Sequence, residues 1–239
     1  MRAAVDIYSA SLETDPTRLD LLYGSLSDEE RERAGRFRFA EHRRHYIACR
    51  GMLREVLAPY LDVSPPHLKF EYNYYGKPTL RGTDVRFNVS HSEGWAMFAV
   101  TRGREVGVDV EFVDERFVRE QIPERFFSPR EVRALRSLPA AQQTDAFFRC
   151  WTRKEAYIKA RGLGLALALD SFDVSLQPQE PAELLRGGGN WSLQELQAPE
   201  GFQAAVASEG WDWRVVLREM PLPQVTGFSF VRPLTVAVS

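Results

Sequence analysis

Apolar positions along the chain change period several times, and each change marks an element. Ser27-Asp28-Glu29-Glu30 has the form of a capping box, a serine N-cap with a glutamate three residues on, and predicts a helix start. From Phe39 to about Leu61, the residues Tyr46, Ile47, Met52, Leu53, Val56 and Leu57 recur at helical spacing until Pro59 intrudes. This second helix carries Arg43, Arg44, Arg50 and Arg54. After Ser64-Pro65-Pro66 the pattern shortens to strand-like runs at 68–72, 85–89, 97–100 and 106–112, punctuated by Gly76 and by Gly82-Thr83-Asp84. The second half reads in the same order. A helical stretch around 130–138 and a longer helix from about Asp145 to Ala160 precede strands near 172–176, 191–196, 204–207 and 211–217.

Both halves thus read helices first and strands afterwards, which favours α+β over a strictly alternating parallel sheet. Ser-Glu-Gly-Trp occurs at 92–95 and again at 208–211, each time between two apolar runs where a hairpin turn is expected. The repeat is short and supports a duplication only weakly. The polar Thr101-Arg102-Gly103-Arg104 is the expected boundary, giving an N-terminal lobe 1–104 and a C-terminal lobe 105–239.

Composition narrows the function classes. A chain of 239 residues with 44% hydrophobic and 27% charged residues is long enough for one large or two smaller cores. A net charge of −2 excludes retention on nucleic acid or anionic lipid by bulk charge, so an anionic ligand must be met by local basic clusters. No apolar leader or membrane-length apolar run is present, and a cytosolic protein is expected. Cys49 and Cys150 fall in helical segments and read as small buried residues.

Two features carry candidate chemistry. In Gly107-Val108-Asp109-Val110-Glu111-Phe112, strand alternation puts Asp109 and Glu111 side by side on one face. Paired hard oxygen ligands suit magnesium, while a half-buried strand with a wet outer face explains the same pattern without a ligand. In the helix around Trp151-Thr152-Arg153-Lys154-Glu155, the apolar stripe is Phe147, Phe148, Trp151 and Ile158, and Glu155 lies within it. A carboxylate there needs a partner, which is either a metal or Lys159 one turn on.

Phe87-Asn88-Val89-Ser90-His91-Ser92 ends a strand with groups able to donate to an anion, although His91 also suits a simple turn cap. Tyr74-Tyr75-Gly76-Lys77-Pro78 is a turn with one lysine behind two aromatic rings. No P-loop is present, and Gly162 in Gly162-Leu163-Gly164 reads as a helix C-terminus rather than a dinucleotide fingerprint. Neither a G-x-S-x-G elbow nor a metal-spaced Cys/His set occurs.

The ordered set Tyr75-Gly76-Lys77-Pro78, Phe87 to Ser92, Gly107 to Glu111, Phe126-Phe127-Ser128 with Glu131, and Trp151 to Glu155 with Lys159 resembles the Sfp-type 4′-phosphopantetheinyl transferases. The resemblance implies two related α+β lobes packed as a pseudo-dimer, with coenzyme A and Mg2+ in the cleft between them. It implies that Asp109, Glu111 and Glu155 bind the metal. Asn88, Ser90 and His91 fall on the coenzyme A motif, with His91 toward the 3′-phosphate. Tyr75 and Lys77 fall on the adenine-side loop, Arg50 on a helix arginine for the same phosphate, and Lys159 on the pyrophosphate lysine. Arg33, Arg36 and Arg44 are further basic positions, and Glu30 departs from relatives that place lysine there.

The implied reaction moves phosphopantetheine from coenzyme A to a serine of an acyl or peptidyl carrier protein, releasing adenosine 3′,5′-bisphosphate. Glu155 and Glu131 are both candidates for the base. The carrier is expected to dock within 112–136, the active species is expected to be a monomer, and neither nucleic acid nor membrane is an expected partner. A magnesium-dependent phosphohydrolase, or a non-catalytic coenzyme A-binding module, is the alternative that the carboxylates alone leave open.

Overall fold

A computed structural model describes residues 3–116 and 122–221. The first strand, β1 (Ala3–Ser11), is followed by α1 (Pro16–Gly24), α2 (Asp28–Gly35) and the long α3 (Ala40–Leu61). Strands β2 (Phe70–Tyr72), β3 (Pro78–Leu80), β4 (Val85–Ser92), β5 (Trp95–Arg102) and β6 (Val106–Phe112) come next. Helices α4 (Ile122–Phe126), α5 (Pro129–Arg136) and α6 (Ala140–Arg161) precede β7 (Asp173–Val174), β8 (Leu184–Arg186), β9 (Trp191–Leu196), β10 (Phe202–Glu209) and β11 (Trp213–Leu217). This is an α+β fold with a 22-residue helix against a sheet in each half.

The two halves begin with the same device. Ser27 accepts from the Glu30 amide at 3.3 Å and donates its own amide to Glu30 Oε2 at 2.9 Å, the reciprocal pair read from the sequence. Ser128 and Glu131 repeat that pair at the start of α5. Each glutamate then reaches a buried cation on the long helix that follows: Glu30 takes Arg54 Nε at 2.7 Å, and Glu131 takes Lys154 Nζ at 2.8 Å. Arg54 and Lys154 hold the same place in their 22-residue helices, so the duplication is written in the buried ion pairs.

One sheet runs β11-β1-β5-β4 and another β6-β10-β9. The α3 side of the first sheet buries Leu53, Val56, Leu57, Phe87 and Phe98, and α6 covers the second with Phe147, Ala156 and Ala160 against Ala205 and Ala207. A third apolar cluster joins the halves, with Val5, Ile7 and Met97 meeting Val108, Val206 and Trp213. The β4–β5 hairpin turns at Glu93 and Gly94, whose φ values of 41° and 75° are the left-handed pair such a tight turn requires. The second Ser-Glu-Gly-Trp does not make a hairpin. After Glu209 the chain crosses to the first sheet, where β11 runs parallel to β1 with Ala3 opposite Trp213. Trp213 sets this exit: its ring is buried in the cluster between the halves and its Nε1 donates to Ser192 and to the Gly210 carbonyl.

Candidate active site

Strand β6 and helix α6 touch without an intervening side chain at Gly107, where a Cβ would stand 2.2 Å from both the Ala156 oxygen and the Ala160 nitrogen. That contact brings the strand's next outward positions under Glu155 and Lys159. Asp109 is 1% exposed, so the face carrying the two strand carboxylates is not a wet outer surface. Its Oδ1 accepts from Lys159 Nζ at 2.6 Å and from Ser90 Oγ at 2.9 Å, while Lys159 also donates to Ser90 Oγ at 2.8 Å. Asp109 Oδ2 is buried with no hydrogen-bond partner. Lys159 therefore bonds directly to the strand carboxylate and reaches Glu155, its neighbour one turn away, only through charge.

Glu155 forms neither a hydrogen bond nor a close ion pair among the described residues. Burial, then the Asp109 charge, raise its pKa above the ordinary carboxylate value. Glu111 is pushed up to about 7 by burial and by Asp109, with Glu155 adding to the rise and Ser92 and Lys159 opposing it. A buried carboxylate oxygen without a hydrogen bond, beside two further carboxylates, supplies hard oxygen donors for a divalent cation, and these residues fit magnesium. The oxygens are not yet gathered. Among the described residues, the three donor atoms lying within 4.8 Å of one another belong to Glu13, Glu41 and His45 on the surface.

Strand β4 meets β6 through side chains instead of a backbone ladder. Asn88, Ser90 and Ser92, alternate residues on one face, turn toward it: Asn88 Oδ1 accepts the Val108 amide at 2.9 Å, Ser90 holds Asp109, and Ser92 Oγ accepts the Phe112 amide at 3.2 Å. His91 points the other way and is exposed. Partial desolvation, followed by the Lys159 and His45 charges, lowers its pKa from the ordinary imidazole value.

A cavity of about 500 Å³ opens beside this cluster, with Tyr75, Lys77 and Asn88 on one side and Phe126, Glu155 and Lys159 on the other. His91 does not line it, and two further sequence-read residues lie elsewhere. Arg50 faces a separate groove of about 1080 Å³ on the N-terminal half, bonded to Glu30 and donating to Tyr72 Oη at 2.8 Å, with its guanidinium 4.0 Å from the Phe70 ring centroid. Glu131 is 1% exposed and saturated by Ser128, Lys154 and the Val174 amide, as its twin Glu30 is by Ser27, Arg50 and Arg54. A carboxylate held in this way has no lone pair free for a substrate proton. Of the basic residues next to Glu155, Arg153 and Lys154 are fully buried and bond to Glu195 and to main-chain oxygens of 169–175. Asn73 and Phe126 were not read as site residues, although Asn73 opens the turn with the residue type that bonds its own following amides.

Comparison with known proteins identifies the family. Residues 13–102 match the family described as 4′-phosphopantetheinyl transferase, N-terminal, and residues 105–207 match the 4′-phosphopantetheinyl transferase superfamily. The chain is 42% identical over 214 residues to the 4′-phosphopantetheinyl transferase HetI of Nostoc sp., covering 88% of this chain and 90% of that protein. It is 31% identical over 186 residues to the 4′-phosphopantetheinyl transferase Sfp of Bacillus subtilis, covering 77% and 82%. The L-aminoadipate-semialdehyde dehydrogenase-phosphopantetheinyl transferase of Mus musculus is 30% identical over 219 residues, covering 80% and 70%. The two-halved α+β fold with a carboxylate cluster beside its cavity is thus that of a group-transfer enzyme. The chain belongs to the 4′-phosphopantetheinyl transferase superfamily and activates carrier proteins.

Proposed function

We propose that Asp109, Glu111 and Glu155 hold Mg2+ at the inner end of the cavity and that coenzyme A lies along it with its pyrophosphate beside Lys159. The observation that carries this reading is the buried, unpartnered Oδ2 of Asp109 next to the unpaired Glu155. The bound ion supplies charge neutralisation at the pyrophosphate oxygens. Lys159 adds a second cation, which Ser90 and Asp109 hold in place. In this reading His91 lies toward the 3′-phosphate, and Arg33, Arg36 and Arg50 of the separate groove, which also carries Asp28, Glu29, Glu30 and Glu32, are further cations for the nucleotide end. Tyr75 flanks the adenine.

The carrier serine attacks the phosphorus of the phosphopantetheine phosphate. A serine O–P bond forms, the P–O bond to the nucleotide phosphate breaks, and adenosine 3′,5′-bisphosphate leaves. Glu155 accepts the serine proton in preference to Glu131, because Glu131 is saturated by Ser128, Lys154 and the Val174 amide whereas Glu155 has no hydrogen bond to protein among the described residues. The carrier is an acyl or peptidyl carrier protein docking beside the cavity near Phe126, on the stretch 112–136, of which 117–121 lie outside the described residues.

The lobes divide after Arg104, a reading supported by family matches that end at 102 and resume at 105. One chain then encloses a complete cleft and acts as a monomer. No helix among the described residues is long and apolar enough to cross a membrane, and both cysteines are free and buried, in keeping with a cytoplasmic enzyme. The test is to incubate the chain with coenzyme A, Mg2+ and an apo carrier protein and to weigh the carrier. Gain of one phosphopantetheine on a serine, dependent on Mg2+ and lost in Glu155→Gln, is expected. An unmodified carrier, or coenzyme A hydrolysed without transfer, overturns the reading.

A further inference from the structure

The cavity has walls from both halves of the molecule; Ser90 and Asn88 tie them at the carboxylate cluster, and a separate tie joins the Tyr75–Lys77 loop to the end of α6. Asn73 opens the turn that carries Tyr75 and Lys77. Its Oδ1 accepts the Tyr75 amide at 3.0 Å and the Lys77 amide at 2.9 Å. Its main chain closes the same turn, donating to the Lys77 oxygen at 3.0 Å and accepting the Gly76 amide at 3.0 Å. One side chain therefore dictates the shape of the loop. Its remaining polar atom, Nδ2, leaves the loop altogether and donates to the Gly162 oxygen at 2.8 Å.

Gly162 caps α6, the helix that carries Glu155 and Lys159, in the left-handed conformation. The last carbonyls of a helix have no partner within it, and here the loop from the other half supplies donors. Lys77 Nζ takes a second one, the Ala160 oxygen, at 3.0 Å, and uses its other hydrogens on Glu105 Oε2 at 2.8 Å and the Val106 oxygen at 3.2 Å. The seating is close: a Cβ on Gly162 would lie 3.1 Å from Lys77 Cδ and 3.2 Å from Asn73 Nδ2. With three hydrogens committed to protein acceptors, the Lys77 ammonium is not a free cation for a phosphate.

We propose that Asn73, assisted by Lys77, is a positioning residue: a latch that fixes the distance between the loop on one wall of the cavity and Glu155 and Lys159 on the other. The inference rests on the transferase reading, because it takes the two walls to grip the two ends of one coenzyme A. A latch acts on the spacing of both ends, so its loss weakens every coenzyme A analogue by the same factor. A direct phosphate contact would instead weaken only ligands that bear that phosphate.

Asn73→Asp isolates the latch, since it keeps an acceptor for the Tyr75 and Lys77 amides but sets an oxygen against the Gly162 carbonyl. Lys77→Met removes the second tie and serves if the first variant does not fold. The measurements are the Kd of coenzyme A and of 3′-dephospho-coenzyme A by calorimetry in chelator, and kcat and KM for transfer to apo carrier with Mg2+. The expected result is a rise of about tenfold in Kd and KM for both ligands, equal within error, in protein that melts cooperatively. Wild-type constants in both folded variants overturn the latch, as does a rise confined to coenzyme A. If the wild-type control transfers nothing to the carrier, the transferase reading falls and the latch with it; if it transfers normally while the variants match it, the latch alone falls.

Discussion

The Lys159 ammonium lies 2.6 Å from Asp109 Oδ1 and leaves Oδ2 of the same carboxylate buried without a hydrogen bond. One carboxylate thus has two roles: it anchors the lysine and keeps a ligand position open. The three carboxylates of the site are therefore not equivalent in the metal-free protein, although each is expected to matter for the reaction.

Asp109→Ala is expected to lower stability in chelator by about 2 kcal/mol, because it strands the Lys159 ammonium and the Ser90 hydroxyl; the partial exposure of Lys159 keeps the cost below that of a fully buried broken pair. Glu155→Gln breaks no hydrogen bond and removes an Asp109 repulsion and a burial cost that outweigh the Lys159 attraction, so its thermal midpoint should stay level or rise. Both should lose transfer by orders of magnitude, since metal charge stabilisation is worth several kcal/mol and each 1.36 kcal/mol is about tenfold in rate. Thermal melts in chelator beside rates against Mg2+ check this. Equal melting of the two variants would contradict the asymmetry.

Burial and the Asp109 charge push the Glu111 carboxyl up to about 7 from an ordinary value of 4.5. A carboxyl raised on folding binds more protons folded than unfolded between those values. Its contribution is therefore fully present at low pH and is lost as pH rises toward 7, a loss on the order of 3 kcal/mol. Stability in chelator from pH 5 to 8 should fall in the wild type and fall less in Glu111→Gln. Parallel slopes would rule out Glu111 as the source.

Gly107→Ala places a methyl against the backbone of α6, which no side-chain rotation relieves. A destabilisation of about 3 kcal/mol is expected, with loss of transfer even in the folded fraction as α6 lifts Lys159 from Asp109. Denaturant midpoints and the rate per folded molecule test both parts.

Glu131→Ala separates structure from chemistry. It leaves the Lys154 ammonium buried without its carboxylate, at a cost of about 4 kcal/mol, whereas the folded fraction should retain kcat. A stable Glu131→Ala protein with abolished kcat would restore Glu131 as the base. Glu30→Ala should mimic its stability loss, because Arg54 is stranded in the same manner.

Much of the scaffold was legible from local pattern. The capping box at Ser27, the long helices and β6 at 106–112 all follow from periodicity and caps, which depend on neighbours in sequence, although α6 starts at Ala140, ahead of the expected Asp145. The convergence of Asp109, Glu111, Glu155 and Lys159 came from the ordered motifs, since no spacing rule joins a strand to a helix some forty residues later. Strand β1 was missed because its alternation of Val5 and Ile7 is flanked by alanines and serines with little contrast. Helix α1 was missed despite its signal, an Asp15 N-cap followed by Pro16. The fates of Lys77 and Glu131 were hidden for another reason: which acceptor a lysine meets is decided by tertiary packing, and sequence shows only that it has hydrogens to give. The duplication was sought in Ser-Glu-Gly-Trp, whereas it resides in two serine–glutamate caps and the cations beneath them.

Strand β11 also bears on how the molecule is made. It lies beside β1 in the sheet whose other strands all come from the first half, pairing Ala3 through Ile7 with Trp213 through Leu217. During synthesis from the N-terminus, β1 must wait with one edge bare until almost the whole described chain has left the ribosome. Closure of that edge joins the most distant parts of the described sequence, the kind of contact that forms late and slowly. A nascent chain stalled before Trp213 would carry an open strand edge, the kind of edge on which another chain can pair.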